Sequence, residues 1–142
     1  MRKFGLMLMV GLLVTCGFAR PASAIMPFHK EFIKLYVGED ADPESDLAKL
    51  IKDKKKKCLV CHQGKKKKNR NAYGQELSKL LDKKKDKKDL EKIVAALKKV
   101  EAMPSDPKDK DSKTFGEVIA AGNLPGGSLE ELQKEPESSD ES

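Results

Sequence analysis

Two cysteines and a histidine stand together in the segment Cys58-Leu59-Val60-Cys61-His62. Cysteines three residues apart lie on one side of a helical turn, so both thiols can reach the same edge of a flat ligand. Thiols that reach the two vinyl groups of a porphyrin form thioethers, and an imidazole nitrogen binds iron. The CxxCH pattern therefore predicts that Cys58 and Cys61 hold one covalent haem c and that His62 is its proximal iron ligand.

Three other kinds of site use the same residue types. A CxxC pair also occurs in thiol-disulfide oxidoreductases, in zinc or copper sites and in structural disulfides. Neighbouring lysines would lower the pKa of a redox-active thiol, but the chain lacks the alternating strands and helices of a thioredoxin-like scaffold. A metal site would need Cys61 and His62 to converge on one ion, which direct neighbours rarely do. These alternatives remain open beside haem attachment.

The first 24 residues have the pattern of a secretory signal peptide. Arg2 and Lys3 precede an apolar run that extends to about Phe18, and residues 22–24 are the small residues expected at a cleavage position. The run is shorter than the roughly 20 residues of a membrane span. We therefore expect an exported protein, periplasmic or otherwise outside the cytoplasm, that is not an integral membrane protein after cleavage.

Composition explains why a cofactor would help this chain to fold. The segment from residue 25 to residue 125 has the length of one domain, and it is rich in lysine. A domain of roughly 100 residues with this composition has difficulty burying enough apolar surface. A porphyrin is a large, flat, apolar body that can form the centre of such a core.

Helical periodicity sets the predicted architecture. The five residues 58–62 are named the pentad. Apolar residues recur at helical spacing in five segments, which span residues 27–37, residues 42 into the pentad, residues 71–82, residues 86 or 89 to 102, and residues 114–122. Residues 103–113 read as a loop, and no segment shows the alternation of a strand. The predicted fold is therefore all-α, with about four to five helices packed around the haem. Residues 126–142 read as an acidic disordered tail with a brief helical turn at Leu129 to Leu132.

A signal peptide, a single CxxCH pentad and helices on both sides of it resemble the small monohaem c-type cytochromes of bacteria. The specific match is limited to Cys58, Cys61 and His62, and the architectural match covers residues 25–125. The resemblance implies a cytochrome c-like fold and a protein that carries single electrons between redox partners without transforming a substrate.

The same resemblance suggests where the second iron ligand lies. In that family this ligand is often a methionine followed by proline, downstream of the pentad, and Met103-Pro104 fits. His29 is a second candidate. An open position would instead favour a haem sensor or a peroxidase-like protein.

Positive charge brackets the pentad. The residues concerned are Lys54, Lys55, Lys56, Lys57, Lys65, Lys66, Lys67, Lys68 and Arg70. A charged ring around an exposed haem edge speeds encounter with a partner of opposite charge, so we expect a redox partner protein with an acidic docking surface. The alternative is that these lysines only keep a small protein soluble. Nucleic acid is not expected as a partner, because aromatic residues are few and no recognition motif is present.

Overall fold

The computed structural model describes residues 26–38 and 41–136. The helices are α1 (Met26–Tyr36), α2 (Asp46–Lys52), α3 (Ala72–Leu80), α4 (Leu90–Glu101), α5 (Phe115–Ala120) and α6 (Leu129–Gln133). A 3-10 helix covers Lys57–Val60, and two strands, β1 (Pro104–Asp106) and β2 (Asp109–Thr114), pair antiparallel. None of the helices in these two ranges combines the length and the apolar composition needed to cross a bilayer. The predicted signal peptide and residues 137–142 lie outside the described residues.

Side-chain caps define where most helices begin. The caps of α2, α3 and α4 are Ser45, Asn71 and Asp89, each of which accepts a hydrogen bond from a backbone N–H in the first turn. Helices α5 and α6 begin with complete capping boxes, formed by Thr114 with Glu117 and by Ser128 with Glu131. The predicted cap at Asn71 and the predicted capping box at Thr114 are confirmed.

Helix α2 is shorter than predicted. Its cap is Ser45, because Asp42 instead serves the turn before the helix by accepting a backbone N–H two residues ahead. It ends at Lys52, where the Asp53 carboxylate accepts another backbone N–H two residues further along and turns the chain. The pentad therefore lies on the separate 3-10 helix Lys57–Val60 rather than on a continuation of α2.

Three aromatic rings form the centre of the core. The ring of Tyr73 packs edge-on against Phe32 and against Phe115, with centroid distances of 5.8 and 5.2 Å. Apolar side chains from every part of the domain surround these rings: Leu47, Leu50, Leu59, Val60, Ile93, Leu97, Val100, Ile119 and Leu132. Because Leu59 and Val60 belong to this cluster, the core reaches the pentad directly.

The prediction of an all-α fold is wrong at residues 104–114. The chain is mostly helical, but here β1 and β2 form a small sheet, with Pro104 opposite Thr114 and Asp106 opposite Asp109. Most of the strand side chains are charged and exposed, so neither face shows the apolar alternation by which strands are recognised. Backbone ladder bonds and an Asx turn at Asp106 hold the hairpin instead.

The chain beyond the predicted domain boundary packs onto the domain. Residues 128–136 form a segment that we name the C-terminal strap, and it contains α6. The helical turn predicted at Leu129 to Leu132 is confirmed, and within the segment predicted as an acidic tail it packs onto the domain. Leu132 is the physical reason, because its side chain is only 1 % exposed and joins the core.

Candidate functional site

The two cysteines of the pentad flank one 3-10 turn. The Leu59 N–H donates to the Lys56 carbonyl at 2.8 Å, and the Cys61 N–H donates to the Cys58 carbonyl at 3.2 Å. Side chains three residues apart align in a 3-10 helix, so Cys58 and Cys61 share one side while Leu59 and Val60 enter the core. Both thiols are free and half-buried. The two thiols therefore lie on one turn of backbone beside the core.

The His62 imidazole has one nitrogen occupied and one available. Its Nδ1 lies 3.1 Å from the Asn69 carbonyl oxygen, which can only accept, so Nδ1 carries the proton and donates. Nε2 then keeps its lone pair, which is the atom a metal binds. Burial lowers the pKa of His62 below its ordinary value of 6.5; the Asn69 bond opposes this shift, and the charges of Arg70 and Lys67 add to it.

Asn71 fastens the pentad to α3. Its side-chain amide donates to the carbonyls of Leu59 at 2.9 Å and Val60 at 3.1 Å, with a longer contact of 3.4 Å to His62. Its side-chain oxygen accepts from the Gly74 N–H at 2.9 Å and so caps α3. One buried side chain therefore both starts a helix and satisfies carbonyls of the pentad.

Gly74 allows α3 to lie directly on the pentad backbone. A Cβ atom at this position would lie 1.9 Å from the Cys61 carbonyl oxygen, far inside any real contact distance. Every other residue type would therefore push α3 and Cys61 apart. The close approach fixes Cys61 against the helix that carries Tyr73.

The surroundings of Cys61 disfavour the thiol-disulfide alternative. Burial, with a smaller effect of the neighbouring Cys58, raises the pKa of the Cys61 thiol to about 12. The sequence hypothesis required neighbouring lysines to lower a thiol pKa, and at Cys61 the shift has the opposite sign. The zinc or copper alternative gains no support either, since among residues 26–38 and 41–136 no three His, Cys, Asp or Glu side chains are placed to hold one ion.

Tyr73 carries a buried hydroxyl without a hydrogen-bond partner. The side chain is 0 % exposed, and its oxygen is the one buried side-chain polar atom in the described part of the chain that makes no hydrogen bond. Burial raises the pKa of the hydroxyl, and Cys61 lies near enough to add to the shift. An unsatisfied buried hydroxyl is costly, so this oxygen lowers the stability of the core unless it gains a partner.

The two candidates for the second iron ligand are both partly buried. Met103 follows α4 and packs against the core, and its backbone carbonyl accepts from the Phe115 N–H at 2.9 Å. His29 lies on α1, where burial, with a smaller effect of the Lys57 charge, lowers its pKa below 6.5. Lys57 immediately precedes Cys58, so His29 lies within reach of the charge of a residue next to the pentad.

The predicted docking residues lie on two exposed segments. Residues 63–70, which we name the lysine loop, are closed at their base by an antiparallel bridge between His62 and Arg70. Lys65, Lys66, Lys67, Lys68 and Arg70 are all exposed, and so are Lys54, Lys55 and Lys56, whereas Lys57 is half-buried. Among the charged side-chain groups of these residues, and within the described ranges, only the Lys56 ammonium comes within 4 Å of a carboxylate oxygen, 3.9 Å from Asp53. Their charge is thus nearly unneutralised within the molecule.

No protein-family model matches this chain. The searches of curated proteins and of solved structures likewise returned no significant match. The pentad and its surroundings therefore carry the functional inference by themselves.

One cavity lies between α1, α2 and α5, and a second lies between α1 and α2. Their volumes are about 410 and 300 Å³, and Val37, Ala41 and Ala48 line both of them. Neither cavity is lined by Cys58, Cys61 or His62. The candidate site is consequently defined by the donor atoms of the pentad and by Tyr73, rather than by these cavities.

The sequence did not reveal the full role of three residues of the site. Asn71 was predicted only as a helix cap, yet its amide also binds the pentad. Asn69 acts through its backbone carbonyl, which every residue type possesses, so no sequence signal exists for it. Glu135 binds the lysine loop from the strap, and its place in an acidic, serine-rich segment concealed that role.

Proposed function

We propose that this protein is an exported monohaem c-type cytochrome that carries single electrons between redox partners. The observation that carries the proposal is the state of the pentad: two free thiols on one turn, followed by a histidine whose Nδ1 donates to a carbonyl and whose Nε2 keeps its lone pair. Cys58 and Cys61 would hold the haem by thioethers, and His62 would bind its iron.

The residues around the pentad fit such a group. The donor set is one imidazole with two thiols, and the unpartnered Tyr73 hydroxyl beside Cys61 offers a hydrogen bond to a polar atom of the bound haem. Haem supplies an iron that alternates between ferric and ferrous states. His62 would bind that iron, and burial favours the neutral form of its imidazole, which keeps the lone pair on Nε2.

The variants that test attachment remove one sulfur at a time. The exported protein would be isolated after maturation and extracted with acidified acetone, which removes haem that is not covalently bound. Cys58→Ala and Cys61→Ala should each keep haem through one thioether, and the double variant should release it. Cys16→Ala, in the predicted signal peptide, is the matched control and should behave like the natural sequence. Haem that stays with the double variant in acidified acetone would contradict the proposal.

The second iron ligand in this proposal is Met103, with His29 as the alternative. Thioether ligation stabilises ferrous iron and raises the reduction potential, which suits a carrier. If Met103 is the ligand, Met103→Ala abolishes the long-wavelength sulfur-to-iron band of the ferric protein and His29→Ala keeps it. Loss of low-spin character in His29→Ala alone would assign the position to His29.

A second candidate function has an open iron position and binds small molecules as a haem sensor or a peroxidase-like protein. In this candidate neither Met103 nor His29 would bind the iron, and a small molecule would take that position. Rapid carbon monoxide binding to a high-spin ferrous protein would select this candidate. A low-spin spectrum that carbon monoxide does not change would select the carrier.

The exposed lysines around the pentad support docking to an acidic redox partner. Lys65, Lys66, Lys67 and Lys68 project from a loop whose base is His62, so the charge surrounds the residue that would bind iron. Electrostatic attraction of this kind raises association rates and weakens as salt increases. Electron transfer from an acidic one-electron carrier should therefore slow with ionic strength. A rate that is indifferent to salt would remove the lysines from the mechanism.

A further inference from the structure

The C-terminal strap binds the lysine loop through four hydrogen bonds. The Gly64 N–H donates to the Leu132 carbonyl at 2.8 Å, and the Gln63 amide donates to the Glu131 carbonyl at 3.4 Å. The two remaining bonds go to the Glu135 carboxylate, from the Lys65 N–H at 3.0 Å and from the Asn69 amide at 2.8 Å. Glu135 is thus the one strap side chain that accepts from the loop.

Asn69 links Glu135 to the imidazole of the pentad. Its side-chain amide donates to Glu135, while its backbone carbonyl accepts from His62 Nδ1 and from the Gln63 N–H, both at 3.1 Å. The same residue therefore holds the strap at one end and the imidazole at the other. A hydrogen bond to a carboxylate is stronger than one to a neutral acceptor, so Glu135 holds the Asn69 side chain strongly.

The backbone at Gly64 seats the strap directly on the loop. Gly64 has a φ of +68°, and a Cβ atom at this position would lie 2.7 Å from the Glu135 carboxyl carbon. Glycine is required here both by the left-handed conformation and by the space that Glu135 occupies. Leu132, fully buried in the core, holds the strap from the other side.

We propose that Glu135 is a positioning residue for His62, which acts through Asn69. By fixing the Asn69 side chain it fixes the Asn69 carbonyl, which in turn keeps the proton on Nδ1 and the lone pair on Nε2. The contacts alone support the orientation of the His62 ring. Its consequence for an iron ligand rests on the proposed function. Outer partners of metal-binding histidines orient the ring in this way.

The measurement is the exchange of the His62 ring Nδ1–H with solvent, followed by ¹⁵N-labelled NMR on the full-length matured protein. Glu135→Ala should speed this exchange by about tenfold, the change expected from losing one hydrogen bond to a charged group. Glu135→Gln, which keeps an acceptor for the Asn69 amide, should restore most of the protection. Glu130→Gln removes an exposed carboxylate of the same C-terminal strap and should change nothing. Unchanged exchange in Glu135→Ala would overturn the proposal.

A double-mutant cycle separates positioning from general loosening. Asn69→Ala keeps the carbonyl but loses the amide that Glu135 holds, so it should match Glu135→Ala, and the two changes together should have no larger effect than either alone. Additive effects would overturn the proposal. The intact mass of each sample reports haem independently, so His62 exchange that responds as expected in a protein without haem would support the positioning while contradicting the proposed function.

Discussion

The lysine loop, residues 63–70, and the hairpin, residues 104–114, are both exposed and lysine-rich, yet they are held in different ways. The hairpin is held by its own ladder and by short-range bonds, such as the one from the Asp106 N–H to Ser112. The loop is tied to distant parts of the chain, because Glu135 binds its backbone and Asn71 binds the carbonyls of the pentad just before it. Long-range hydrogen bonds therefore converge on the pentad and the loop beside it.

Their charge differs as well. In the hairpin, Lys108, Lys110 and Lys113 are balanced by Asp106, Asp109 and Asp111, whereas four lysines and Arg70 stand together in the loop. A balanced surface has little field at a distance, while a surface of one sign attracts an opposite partner. The difference indicates that the chain concentrates both positional control and charge at the pentad.

The largest expected effect comes from removing Asn71. Asn71→Ala deletes the cap of α3 and leaves buried carbonyls of Leu59 and Val60 without a donor, so the free energy of unfolding should fall by about 3 kcal/mol. Asn71→Ser keeps a capping oxygen and should lose less. Asp109→Ala in the hairpin should stay within about 0.5 kcal/mol of the natural protein. Denaturant unfolding measures all three variants. Equal losses of unfolding free energy in Asn71→Ala and Asp109→Ala would contradict the difference between the pentad region and the hairpin.

Tyr73 and Tyr36 should respond to phenylalanine with opposite signs. In protein that carries no haem, Tyr73→Phe removes an unpartnered buried hydroxyl and should raise the free energy of unfolding by about 1 kcal/mol. Tyr36→Phe removes a hydroxyl that donates to Glu101 at 2.9 Å and should lower it by about 1 kcal/mol. If attached haem supplies the Tyr73 hydroxyl with a hydrogen-bond partner, the gain from Tyr73→Phe should disappear. If Tyr73→Phe raised the free energy of unfolding equally with and without haem, Tyr73 would not contact the haem.

Acid should loosen the C-terminal strap. Hydrogen bonds from the Ser128 side chain and N–H lower the pKa of Glu131 below its ordinary value of 4.5. The stabilisation is therefore complete above 4.5 and is lost as pH falls through the lowered value. The Gly64 N–H, which donates to Leu132, should lose exchange protection over that range in the natural protein.

Two substitutions control the acid experiment. Glu131→Gln removes the titrating carboxylate, so protection of the Gly64 N–H should no longer follow pH there. Glu117→Gln makes the same change in the capping box of α5 and should leave the response of Gly64 as in the natural protein. A Gly64 response that follows Glu117 rather than Glu131 would contradict the role of the strap.

The smallest effect on stability is expected from the surface lysines. Converting Lys65, Lys66, Lys67 and Lys68 to glutamine should change the free energy of unfolding by no more than about 0.5 kcal/mol for each residue. The salt dependence of electron transfer from an acidic carrier should nevertheless flatten. The matched hairpin variant, with Lys108, Lys110 and Lys113 changed to glutamine, should keep the original dependence. Flattening in both variants would assign the effect to net charge alone.

Local signals predicted the helices well. The cap at Asn71, the capping box at Thr114 and the apolar period of α4 all depend on residues within one or two turns, and each is present in the structure. The hairpin escaped prediction because its strands are polar on both faces. The 3-10 helix of the pentad escaped it because Asp53 ends α2 through a side-chain bond that competes with the helix.

The pentad itself was recognisable from residue types and spacing, whereas its supports were not. Glu135 and Asn69 lie 66 positions apart in sequence, and their contact exists only because Leu132 packs the strap into the core. The second role of Asn71 likewise depends on α3 lying against the pentad at Gly74. Contacts that tertiary packing creates leave no periodic signal in the chain.

The most direct measurement is the intact mass of the exported, matured protein under denaturing conditions, after treatment with an alkylating reagent. We expect a mass increased by that of one haem, with no alkyl group added at Cys58 or Cys61, because both sulfurs would already be in thioethers. A colourless polypeptide without added mass, in which both thiols are alkylated, would contradict it.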